Sequence, residues 1–198
     1  MITNNGNVNA VFVNGNTGEG IVRGVLEQSN LTFYHDIYIE SNNGKVTQID
    51  FLVVTDRALV CIEVKNYNKC VIKGDDITDF WTACYRSGTK NFLNPIKQNR
   101  AHVNACKGLF DFDIPVYNMV VFANGCSIRT VPTSCQDTSV INISDVWYVL
   151  IDIKGNTRYK RFNTEIKKNI VAVFDEFYSR SVELYDKHQE QHFNKKSK

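Results

Sequence analysis

Between Gln48 and Tyr67 the chain reads Gln-Ile-Asp-Phe-Leu-Val-Val-Thr-Asp-Arg-Ala-Leu-Val-Cys-Ile-Glu-Val-Lys-Asn-Tyr, two apolar runs with an aspartate, a glutamate and a lysine set inside them. Charged side chains are almost never fully buried unless they are paired or bind metal. Any fold that buries these runs must therefore give Asp50, Glu63 and Lys65 a shared purpose. Asp56-Arg57-Ala58 reads as a tight turn, which makes the two runs antiparallel neighbours. Side chains alternate faces along a strand, so Glu63 and Lys65 share a face with Cys61, and Asp50 shares one with Leu52 and Val54. Pairing about the turn sets Glu63 and Lys65 opposite residues 49–51. Asp50 and Glu63 thus converge on one small volume.

Two carboxylates a few ångströms apart repel unless a cation lies between them. Mg2+ suits such a pair because it prefers oxygen ligands and keeps several waters for phosphate contacts. It lowers the pKa of a bound water and polarises a phosphoryl oxygen. A neighbouring lysine can orient that water or offset charge as a pentavalent phosphorus forms. The short string alone is weak evidence, because Asp152-Ile-Lys154 and Glu165-Ile-Lys167 carry it too. Both fall on expected helices, where residues i and i+2 do not face each other, although residues 147–153 also read as a strand. A plain strand-face ion pair between Glu63 and Lys65, worth about 0–1 kcal/mol if exposed, is the competing explanation.

The 198 residues fit one domain, and 43% hydrophobic with 12% aromatic content supplies a core. A net charge of +2 neither demands nor excludes nucleic acid. Apolar runs such as Trp147 to Ile151 fall far short of the roughly 20 residues needed to span a membrane. The polar start, Met1-Ile-Thr-Asn-Asn-Gly-Asn, lacks the features of a signal peptide, so a cytoplasmic location is expected. The six cysteines show no zinc spacing and are expected as reduced thiols.

Residues 1–16 read as an irregular arm, 17–185 as a single α/β domain, and 186–198 as a fraying, basic polar tail. Thr17 caps an expected helix from Gly18, with Glu19 in its first turn. Strands are expected over 33–40, 46–55, 59–65, 70–73, 80–85, 116–123 and 140–143. Asn94 and Pro95 open a helix to about Leu109; Ser144 caps another, ending at Gly155, and a last helix covers 164–185. Lys90, Lys97, Arg100 and Lys107 could line a phosphate-binding surface, against the commoner case of solvated helix charges. Trp81 and Tyr85 read as core. His35, His188 and His192 show no partner spacing.

Several separated motifs resemble the NERD domain, the nuclease-related domain of the PD-(D/E)xK nuclease superfamily. They are Gly18-Glu19-Gly20, Thr47-Gln-Ile-Asp50-Phe, Ile62-Glu-Val-Lys-Asn-Tyr67, Trp81, and Asn94-Pro95-Ile-Lys-Gln98-Asn, spanning about residues 15–125. The resemblance implies a restriction-endonuclease-like α/β fold, a mixed central sheet flanked by helices, with the site at one edge of the sheet. It implies a nuclease dependent on Mg2+, for which Mn2+ can substitute, with DNA the favoured substrate. Asp50, Glu63 and the backbone carbonyl of Val64 would hold the metal, Lys65 would be the catalytic lysine, and Glu19 an additional carboxylate. Gln98 and His102 sit where related nucleases carry a Gln-x-x-x-Tyr pair, so His102 replaces the tyrosine. His102, Lys97 and Arg100 are the expected nucleic-acid contacts. The superfamily's proline is replaced by Ile49. A homodimer is one way to supply the two sites that cutting a duplex often takes. The alternative is a catalytically silent nucleic-acid or protein-interaction module on the same fold.

Overall fold

The computed structural model describes residues 18–130 and 136–196. The expected N-terminal arm, the Thr17 cap and Cys135 lie outside those residues. Among the described residues, strands β1 (Thr32–Glu40), β2 (Val46–Val54) and β3 (Leu59–Asn68) form an antiparallel meander. Parallel strands β7 (Val116–Asn124) and β9 (Thr138–Asn142) extend it into a five-stranded sheet ordered β1-β2-β3-β7-β9.

This sheet is mixed and covered on both faces, which is why the Leu59 to Ile62 stretch of β3 and the Met119 to Ala123 stretch of β7 are apolar without a break. Helices α2 (Pro95–Lys107) and α4 (Thr164–Ser179) bury Val103, Cys106, Ile170 and Phe174 against Leu52, Val54, Leu59 and Cys61. On the other face, α1 (Gly18–Glu27) and α3 (Val146–Gly155) bury Val22, Leu26, Leu150 and Ile153 against Phe51, Val53, Ile62 and Val121. Each such side chain contributes on the order of 1.5–3 kcal/mol of burial. Asn94 starts α2 as expected: its Oδ1 accepts from the amides of Ile96 and Lys97, and its Nδ2 donates to Asp75 and Thr78.

Beside the central sheet lies a second one, ordered β6-β5-β4-β8. It comprises β4 (Val71–Gly74), β5 (Phe80–Tyr85), β6 (Gly88–Leu93) and β8 (Ser127–Thr130). Neither β6 nor β8 was expected from sequence. β6 is an edge strand whose Gly-Thr-Lys-Asn start is exposed, so it shows no apolar alternation. Trp81 is core, as expected: fully buried, stacked near-parallel to Phe122, with its Nε1 donating to the Asp75 carbonyl.

Both decoy triplets are helical, Asp152 on α3 and Glu165 on α4. A single 3-10 turn over Ile143–Asp145 precedes α3, and no side-chain cap bond forms there. Residues 186–196 of the expected fraying tail are helical instead. Helix α4 stops at Ser179, and α5 (Ser181–Lys196) continues as regular helix. Its buried Leu184 packs with Tyr38 and Val46, Lys187 pairs with Glu40, and Gln191 bonds the Gly44 carbonyl and the Val46 amide. That docking holds a segment whose own sequence has little apolar periodicity. No helix among the described residues is long and apolar enough to cross a membrane.

Candidate active site

Strands β2 and β3 pair from Val54↔Leu59 to Phe51↔Ile62 and then part. The next residues in register are Asp50 and Glu63, the two expected to converge. The site therefore lies where two interior strands separate, not at an edge of the sheet. Asp50 fills the gap the separation leaves: its Oδ2 accepts from the Val64 amide at 2.8 Å, replacing a ladder bond. Glu63 is 4% exposed and faces α2. Its Oε1 accepts from Lys65 Nζ at 2.6 Å, and its Oε2 lies 3.6 Å from His102 Nε2. Lys65 Nζ also donates to Gln98 Oε1 at 2.9 Å.

Burial, then the charge of Glu63, pushes the Asp50 carboxyl up to about 7, against the lowering pull of the Val64 amide. Glu63 moves the other way. Burial raises it, but the hydrogen bonds and charges of His102 and Lys65 outweigh that and hold it below the usual range. Neighbouring carboxyls driven apart in this manner are a frequent property of functional sites. A third carboxylate, Glu19 at the start of α1, adds a smaller upward push on Asp50. Its position depends on Gly18, where a Cβ would come within 2.5 Å of Ala123 Cβ and 3.2 Å of Val64 Cγ1. The glycine lets α1 lie directly on β7 and β3.

The remaining expected residues divide. Gln98 is exposed on α2 and reaches Lys65. His102 is buried, and both its ring nitrogens face protein: Nδ1 lies 2.8 Å from Thr47 Oγ1, Nε2 faces Glu63. That arrangement supports Glu63. Lys97 is engaged with Asp79 at 2.6 Å. Arg100 is half-buried on the same helix. A cavity of about 310 Å3 opens onto Asp50, Glu63, Gln98 and His102, and α5 supplies its far wall through His188, Gln191 and His192. Sequence reasoning missed that wall. The one available signal was the i, i+4 spacing of His188 and His192, whose Nε2 atoms lie 3.1 Å apart.

A mixed sheet with helices on both faces, its two central strands parting over an acidic pair and a lysine, defines an α/β protein whose site lies inside the sheet. Residues 14–123 match the nuclease-related domain family, NERD, and the chain belongs to that family. It is 24% identical to an uncharacterized protein of Bacillus anthracis over 165 residues, covering 79% of this chain and 77% of the other. A crystal structure of a protein of unknown function aligns with a TM-score of 0.38 at 12% identity, over 87% of this chain and 93% of that one. The small subunit of a heterodimeric restriction endonuclease aligns with a TM-score of 0.33 at 10% identity, over 88% of each chain.

Proposed function

We propose that the protein is a metal-dependent nuclease that hydrolyses phosphodiester bonds in nucleic acid, with DNA the favoured substrate. The observation that carries this reading is the convergence of Asp50, Glu63 and Lys65 where β2 and β3 part, with both carboxyls open to the cavity. The residues suit a divalent cation. Burial, and after it the charge of Glu63, drives Asp50 up to about 7, a penalty that a cation between the carboxylates would relieve, and an oxygen-only set with room for water matches Mg2+ or Mn2+. Asp50, Glu63 and the Val64 carbonyl would hold it. Bound there, the ion would lower the pKa of its water and polarise the phosphoryl oxygen.

The chain's own groups account for the rest. Lys65, held between Glu63 and Gln98, presents an ammonium that can orient the attacking water and offset charge on the phosphorane oxygens. Gln98 fixes the direction of Lys65. His102, itself anchored by Thr47, fixes the second oxygen of Glu63.

The test is incubation of purified protein with labelled single- and double-stranded DNA, with and without Mg2+ or Mn2+. Cleavage that needs the ion and disappears in Lys65→Ala, with the fold unchanged by circular dichroism, is the expected result. Full cleavage by Lys65→Ala would sink the site assignment. Binding without product under every condition would instead favour a silent module on the nuclease fold.

A further inference from the structure

A second cluster of ligand-bearing side chains lies on the α1 side of the same strands. Among the described residues, Glu19, His35 and Asp36 are a set of three whose ligand atoms all lie within 4.8 Å of one another. His35 Nε2 lies 3.5 Å from Glu19 Oε2 and 3.5 Å from Asp36 Oδ2. That nitrogen is buried and has no hydrogen-bond partner. An imidazolium between two carboxylates would be expected to close to about 2.7–2.9 Å, the usual length of a charge-assisted bond. Two ligands bound about 2.1 Å from one tetrahedral ion stand about 3.4 Å apart. The two distances from His35 match the second arrangement.

Two contacts hold the ligands in place. The His35 ring packs against Phe51 with centroids 4.6 Å apart, which fixes its plane. Gln48 Nε2 donates to Asp36 Oδ1 at 3.0 Å, leaving Oδ2 turned to His35. Outer contacts of this kind orient ligands in metal sites. Asp36 itself has φ +52°, in mid-strand, where a side-chain-bearing residue is uncommon. Register places it opposite Asp50, between the pairs His35↔Phe51 and Ile37↔Ile49.

We propose that Glu19, His35 and Asp36 form a second cation site, selective for a borderline divalent ion of the Zn2+ or Co2+ kind. One imidazole nitrogen with two carboxylates favours such ions over Mg2+, which takes oxygen ligands. The site goes beyond the nuclease reading and stands without it.

Co2+ is the probe, titrated into the full chain and followed by visible absorption and equilibrium dialysis. A four- or five-coordinate Co2+ site with a nitrogen ligand absorbs strongly, whereas an octahedral oxygen site absorbs weakly. The expected result is strong bands that saturate, are abolished by Zn2+, and survive millimolar Mg2+. His35→Gln and Asp36→Asn should each weaken this binding roughly tenfold or more, while Asp50→Asn leaves it intact. Asn adopts positive φ readily, so Asp36→Asn remains informative even if His35→Gln fails to fold. Absence of the bands, unchanged binding in Asp36→Asn, or equal weakening by Asp50→Asn would each overturn the site. None of these outcomes depends on whether DNA is cut, so the two readings fail separately.

Discussion

With its carboxyl held near pH 7, Asp50 is protonated in a large share of cation-free molecules at neutrality. In the unfolded chain the same group titrates near 3.9. Between those values the folded state binds more protons, so this contribution to stability is full below about pH 4 and is lost as pH rises through about 7. Asp50→Asn removes the penalty while still offering an oxygen to the Val64 amide. In EDTA at pH 8 the variant is expected to be more stable than the parent by on the order of 2–4 kcal/mol, with little difference at pH 4. Urea melts at the two pH values check this, and equal stability at pH 8 would count against the burial and repulsion invoked here. Asp50 and Glu63 were legible in the sequence because apolar neighbours leave a charge no ordinary explanation. The position of His102 was legible but its partners were not, since they come from Thr47 and Glu63 on other elements, and Asp36 went unread because its role depends on a local backbone turn.

Gly18 shows how an element is aimed. Alanine is normally the better helix residue by about 1 kcal/mol, yet here its methyl group would strike Ala123 and Val64. Gly18→Ala is expected to cost about 1–3 kcal/mol, as overpacking does, and to lower the thermal midpoint. An unchanged midpoint would mean that α1 can retreat freely. The β2–β3 hairpin and the Asn94-Pro95 helix start were legible because their signals are local: alternation, a tight turn, a cap with proline. The β6 and β8 strands were not. Each is short and partly polar, and each exists only because β5 or β4 presents an open ladder beside it. The same holds for α5, whose pattern alone favours a frayed tail.

Across the whole molecule, α5 links the candidate site to the far end of the described chain. Leu184 is its fully buried anchor, in a small cluster with Tyr38, Val46 and the partly buried Phe177. Leu184→Ala should weaken the docking of α5 by about 2–5 kcal/mol, the usual cost of such a cavity. Limited proteolysis near residues 179–181 should accelerate while the central sheet stays intact. No change in cleavage rate would show that Gln191 and Lys187 suffice to hold the helix. The parting of β2 and β3 reaches further than the site it opens. The amide of Val64 is guarded by a side-chain oxygen, where a strand neighbour would have used a peptide carbonyl. Peptide carbonyls do not titrate; this guard does. In NMR spectra the Val64 amide should therefore move and change its solvent-exchange rate with a midpoint near 7, and shift again when an ion occupies Asp50. One backbone resonance thus serves as a built-in meter of the charge at the centre of the sheet.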